Sequence, residues 1–115
     1  MPCNRGDVVL VRFPNSDLKT YKKRPALVVQ RDGLSTRIPQ RIIALITSNL
    51  SRTGPTRIAV SRSTPEGVRM GLLMDSVIVT DNLATVQERE IDKVIGQCPV
   101  MPQVAAALKT TLGLD

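Results

Sequence analysis

The chain has 115 residues, 42% hydrophobic and 23% charged, the proportions of an ordinary globular protein with length for one modest core. Its longest apolar runs, such as residues 8–11 and 42–46, are too short to span a bilayer, and the N-terminus lacks a basic region followed by an apolar stretch. One cytoplasmic domain over residues 1–115, with no membrane partner, is therefore expected. The net charge of +6 is unevenly spread: residues 1–69 carry thirteen Lys/Arg against Asp7, Asp17, Asp32 and Glu66, and the remainder is acidic. A basic half of this kind suits a phosphate-rich partner, although charge alone fits a merely solvated surface equally well.

In chain order, short β-branched runs bounded by turn residues predict strands over residues 7–13, 24–30, 41–47, 56–61, 72–80 and 83–87. Between them lie a polar, basic loop (14–23), a second loop opened by Asp32–Gly33 (31–40) and a turn at 52–55. The spacing predicts a β-barrel or sandwich and leaves no room for helices alternating with strands. A single helical turn is expected over 88–93. From Val100 onward, Met101, Val104, Ala105, Leu108 and Leu112 recur at helical spacing, with Pro102 in the first turn and Gly113 at the stop. That amphipathic helix is expected to close one end of the barrel.

What is missing narrows the chemistry. There is no histidine, which removes Ser-His-Asp and Cys-His nucleophile systems and two-histidine acid–base catalysis. Cys3 and Cys98 are far apart without CxxC spacing; they read as one surface thiol and one buried small residue rather than as a disulfide or zinc pair. The acids are scattered, so no metal site and no cofactor are expected. Phe13 and Tyr21 are the only aromatics, too few for a stacking platform, so a nucleic-acid reader here must grip phosphates.

Two strand ends stand out. Lys22-Lys23-Arg24-Pro25 sets three cations before the apolar Ala26-Leu27-Val28-Val29, and Ile46-Thr47-Ser48-Asn49 ends an apolar strand in three hydrogen-bonding side chains. Each alone reads equally as a solvated edge or a turn. Asp81–Asn82 likewise reads as a turn ending a strand.

Taken together, Arg5-Gly6-Asp7-Val8-Val9, Phe13-Pro14 and Lys23-Arg24-Pro25-Ala26-Leu27-Val28-Val29 resemble the opening of MazF/PemK/Kid toxins, the mRNA interferases of type II toxin–antitoxin systems. Ile43-Ala44-Leu45-Ile46-Thr47-Ser48, Gly71-Leu72, Ser76-Val77-Ile78, Asp81, Thr85-Val86, Val94-Ile95-Gly96 and Leu112-Gly113-Leu114 continue the likeness in order along nearly the whole chain. The resemblance implies a mainly β, SH3-like barrel of the CcdB/PemK kind with a C-terminal helix, acting as a homodimer. It implies cleavage of single-stranded RNA at short sequences by the ribose 2′-hydroxyl, without a metal, leaving a 2′,3′-cyclic phosphate and a 5′-hydroxyl. It also implies a cognate acidic antitoxin, partly disordered until bound.

By the same resemblance Arg24 stabilises the phosphorane and protonates the leaving oxygen, Thr47 bonds a phosphoryl oxygen, Ser48 assists, and Asp81 keeps the family's aspartate, its general base. A guanidinium suits the first role because it presents a fork to phosphate oxygens and stays charged. Two positions depart from the pattern. Val79 stands where some members carry an arginine, and Ala84 where an arginine commonly precedes the later threonine. Asn15, Ser16, Lys19, Tyr21, Lys22 and Lys23, in or beside the first loop, are the expected RNA-binding set, and Arg52, Arg57 and Arg62 either extend the phosphate track or are simply solvated. Two other functions fit the same fold: a CcdB-like gyrase inhibitor, with its determinants on the C-terminal helix, and a non-catalytic RNA-binding barrel.

Overall fold

In the computed structural model, which describes residues 3–14, 17, 19–34 and 36–115, the apolar runs become six antiparallel strands. These are β1 (Asp7–Pro14), β2 (Tyr21–Val28), β3 (Gln40–Thr47), β4 (Arg57–Val60), β5 (Ser76–Gln87) and β6 (Ile91–Gln97). A helix α1 (Pro65–Arg69) follows β4, a 3-10 turn (Glu88–Glu90) follows β5, and α2 (Met101–Leu112) ends the chain. The spatial order is β4-β5-β3-β2-β1-β6.

The end of β2 and the residue after it show why Ala26-Leu27-Val28-Val29 is an unbroken apolar run. Leu27 and Val29 enter one core cluster with Val8, Ile46, Ile78 and Val104, while Ala26 and Val28 enter a second with Val9, Val11 and Ile43. Alternate side chains leave opposite faces of a strand, so both faces of this sheet are covered near β2.

The expected barrel is present as a sheet whose ladder stays open: β4 and β6 form its two edges. Helix α1 fills the gap. A Cβ on Gly67 would lie 2.1 Å from the Ser61 carbonyl oxygen just past β4, and one on Gly71 would lie 2.1 Å from that of Ile95 in β6. Backbone thus packs on backbone at both edges, and the intervening segment shields strand edges that would otherwise invite pairing. Gly71, at φ 71°, also needs the left-handed conformation that glycine tolerates. Thr64 caps α1 by accepting the Gly67 N–H at 3.1 Å, with Pro65 in the first turn.

Several boundaries differ from the sequence expectation. Tyr21, Lys22 and Lys23 belong to a strand rather than a loop, because they pair with Pro14, Phe13 and Arg12 of β1. The two runs expected at 72–80 and 83–87 are one strand, β5, which starts only at Ser76. Asp81 and Asn82 do not end it: Leu45 pairs with Val79 and Ala44 with Leu83, so residues 80–82 bulge out of a continuing strand. The helical turn stops at Glu90, and residues 91–97 form β6 on β1. Both cysteines are free and buried, so the expected surface thiol is not present at either; burial pushes both thiols above their ordinary pKa. Helix α2 spans the expected residues, stops at Gly113 with φ 68°, and packs on β4 and β5. Its buried residues are Val104 and Ala107, whereas Leu112 faces solvent. No helix among the described residues is long and apolar enough to cross a membrane.

Candidate functional site

Pro25 is the origin of the site. It pairs with Leu10 of β1, but the ladder from β2 to β3 begins one residue later, at Ala26 opposite Leu45. A residue with no N–H cannot donate to a ladder. Continued by two residues, the same register would set Arg24 opposite Thr47. Instead the pairing stops, and the cationic end of β2 and the polar end of β3 flank a cleft.

Two adjoining depressions occupy it. The first, of about 360 Å³, is lined by Arg24, Thr47, Asn49, Arg52, Arg57 and Asn82 together with Leu45, Ile46, Ser51 and Val79. The second, of about 490 Å³, also takes in Arg24, Ile46 and Thr47, and adds Lys22, Lys23, Ser48, Lys93 and the apolar Leu72-Leu73-Met74 segment. Arg24 and Thr47, 23 positions apart in the sequence, share both linings. Neither lining contains an acid among the described residues. The lining cations outnumber the two carboxylates, Asp81 and Asp92, that pair with Arg57 and Lys23 from outside, and a surface with such an excess favours anions.

Local hydrogen bonds fix the polar strand end. The Asn49 N–H donates to Thr47 Oγ1 at 3.1 Å, and the Ser51 N–H donates to Asn49 Oδ1 at 3.0 Å. Such side-chain-to-backbone bonds give the chain its turn after β3. With Oγ1 accepting from the backbone, the Thr47 hydroxyl hydrogen remains free to be donated elsewhere. Arg24 is exposed and forms no ion pair among the described residues.

The other cations are arranged differently from one another. Lys23 reaches across β1 to Asp92 of β6, at 3.2 Å, and Arg12 reaches the same carboxylate at 3.0 Å. The Lys23 hydrogen bond holds the Asp92 carboxyl below the ordinary range. Arg57 is recessed and its Nη2 lies 3.4 Å from Asp81 Oδ1 on the neighbouring bulge. Arg62 is excluded from the site: it is tied to Leu73 and Asp75 instead.

Of the sequence-predicted residues, Arg24, Thr47, Lys22, Lys23, Ser48, Arg52 and Arg57 therefore come together. Asp81 stands outside both linings and touches the cleft only through Arg57. Tyr21 and Lys19 are exposed and line neither depression. Asp17 accepts the Lys19 and Thr20 N–H groups at 2.9 and 3.0 Å, which holds its carboxyl below the ordinary range and shapes the approach to β2. Asn15 and Ser16 lie outside the described residues. Asn49, Ser51 and Asn82 were not singled out as site residues; Asn49 was visible in the polar strand end, while Asn82 depends on the bulge. No cluster of three or more potential metal-ligating side chains occurs among the described residues.

The fold and cleft define a basic β-sheet protein with an arginine-lined anion groove. Comparison with known proteins specifies the class. Residues 4–112 match the PemK-like, MazF-like toxins of type II toxin–antitoxin systems, and the chain belongs to that family. It is similar to an endoribonuclease solved with its cognate antitoxin from a mycobacterial species: 27% identity, 99% of this chain and 98% of that one, TM-score 0.73. The Mycobacterium tuberculosis toxin MazF-mt6 shares 24% identity over 95% of this chain and 98% of its own, with a TM-score of 0.74. A MazE–MazF structure from Deinococcus radiodurans shares the fold at 18% identity, with 96% of each chain covered and a TM-score of 0.74. No curated protein matches the chain by sequence at a significant level.

Proposed function

We propose that the protein is a sequence-specific endoribonuclease toxin, an mRNA interferase, that cleaves single-stranded RNA in the cytoplasm without a metal. The observation that carries this reading is that Arg24, a guanidinium with no ion pair among the described residues, and an oriented hydroxyl, Thr47, line the same groove, whose described lining holds no acid. In the reaction the ribose 2′-oxygen bonds to phosphorus while the bond from phosphorus to the 5′-oxygen breaks. The 2′-hydroxyl loses its proton, the departing 5′-oxygen gains one, and the products are a 2′,3′-cyclic phosphate and a 5′-hydroxyl. Negative charge builds on the phosphoryl oxygens in the transition state. Arg24 is the donor for that charge and for the departing oxygen, Thr47 donates to a phosphoryl oxygen, and Ser48 assists from the adjoining depression. Losing one preorganised donor of this kind typically costs about 2.7–4 kcal/mol of transition-state stabilisation. Positive charge for the phosphates comes from the chain itself, through Arg24, Arg52, Lys22 and Lys23. Lys19 and Tyr21, with Asn15 and Ser16, would contact RNA beyond the cleft.

The family resemblance further supports a homodimer held under control by an acidic antitoxin. The cationic groove suits an acidic segment that folds on binding. Such binding should weaken with salt.

The test is cleavage of long unstructured transcripts in EDTA by wild-type protein and Arg24→Ala. Wild type should give discrete products whose new 5′ ends accept phosphate from a kinase without prior phosphatase treatment. Arg24→Ala should remain folded and cleave at least about 100-fold more slowly. Intact transcripts in EDTA with folded wild-type protein would end the metal-independent reading.

A further inference from the structure

Arg57 and Asp81 form an ion pair on the wall of the cleft, and the two ends of the pair are not equivalent. The Arg57 side chain is 18% exposed and lines the depression that holds Arg24 and Thr47; the Asp81 side chain is 41% exposed and lies outside it. The cation thus faces the groove, and the carboxylate stands behind it. The backbone enforces this arrangement. Arg57 is the direct partner of Val79 across the β4–β5 ladder, two residues before Asp81, and the 80–82 bulge turns Asp81 out of the strand. At 3.4 Å through one Nη atom, the carboxylate steers the guanidinium without occupying its whole donor fork, which has five N–H groups. Arg57 therefore presents its guanidinium to the groove from β4.

We infer that Arg57 is a second catalytic guanidinium, contacting the scissile phosphate opposite Arg24, and that Asp81 is the positioning residue that holds it. This inference rests on the ribonuclease reading above. Asp81 then acts through Arg57 rather than by taking the 2′-proton itself. Three strands bracket the phosphate: β2 and β3 supply Arg24 and Thr47 on one side, and β4 supplies Arg57 on the other. Arg24, in turn, is free to follow the departing oxygen.

The experiment is a double-mutant cycle on single-turnover cleavage, with Arg57→Ala, Asp81→Ala, the double variant, Arg57→Lys and Arg57→Gln, each checked for thermal unfolding. Arg57→Ala should slow cleavage about 100-fold. Arg57→Lys, which keeps the charge but loses the fork, should recover part of that loss. Asp81→Ala should slow cleavage less than Arg57→Ala, and the double variant should be no slower than Arg57→Ala. Binding of a 2′-O-methyl RNA carrying the cleaved sequence supplies a readout that a purely structural role would not move. The salt slope of log Kd should fall by about 0.7 in Arg57→Ala, the value for one lost phosphate contact on a single strand. Losses that multiply in the double variant would show that Asp81 acts independently of Arg57 and overturn the inference. So would an Arg57→Ala protein that cleaves at the wild-type rate while Arg24→Ala is inactive, a result that leaves the ribonuclease reading standing. Should Arg57→Ala unfold, the uncharged Arg57→Gln decides, since full activity with an unchanged salt slope would equally overturn it. Wild-type protein that cleaves no RNA would defeat both readings together.

Discussion

The two ends of the β2–β3 pair are built from adjacent residues of the same strands and do opposite work. At one end Ala26, Leu27 and Val28 face Leu45, Ala44 and Ile43 in register, and Leu27, Ala44 and Ile43 are fully buried. At the other, beyond Pro25, the ladder lapses and Lys22, Lys23 and Arg24 stand near Thr47 and Ser48 around an open cleft. The packed end fixes the direction and spacing of the strands, and the unpaired end inherits that rigidity without contributing much burial. Stability and chemistry are thereby separated along a single pair of strands. A site held within about half an ångström needs this kind of support from rigid elements.

Substitution at the packed end should produce the largest effect and the clearest contrast. Leu27→Ala is expected to lower unfolding stability by about 2–5 kcal/mol, measured by denaturant titration. Its cleavage rate per folded molecule should stay close to wild type. Arg24→Ala should do the reverse, with stability within about 0.5 kcal/mol of wild type and cleavage lost. Were Leu27→Ala to lose cleavage while still folded, the separation of the two ends would break down.

A smaller effect would sharpen the comparison at the boundary between the ends. Asp92 holds Lys23 and Arg12 together, and its carboxyl pKa is lowered chiefly by the Lys23 hydrogen bond. A lowered folded-state pKa stabilises the fold fully above the ordinary aspartate value of about 3.9 and loses that contribution as pH falls through the lowered value. Acid titration of stability below about pH 4 should therefore be shallower in Asp92→Asn than in wild type. Equal slopes would mean that the tether contributes nothing, as exposed pairs often do not.

The sequence made some of this plain and hid the rest for identifiable reasons. Strands β1 and β3 were legible because apolar, β-branched runs and turn residues mark them without ambiguity. The start of β2 was not, since Lys22 and Lys23 look like loop residues until they are paired with Phe13 and Arg12. Asp81–Asn82 carries turn chemistry, yet the strand passes through it as a bulge, because β3 pairs with β5 both before and after it. Helix α1 had a local signal in Thr64-Pro65, a capping residue followed by a first-turn proline, but only five residues to display it. Arg24 and Thr47 were recognisable from their motifs. The placement of Arg57 against Asp81 depends on register across three strands, and single-sequence patterns do not carry register between distant segments.

The account depends on one phosphate being gripped from both strand ends at once. The most direct measurement is a crystal structure of the protein with a single-stranded RNA blocked by a 2′-O-methyl group at its own cleavage position. The phosphate at that position should lie within about 2.7–3.2 Å of both the Arg24 guanidinium and the Thr47 hydroxyl. A blocked phosphate bound away from both, or the two side chains engaged on different phosphates, would contradict it.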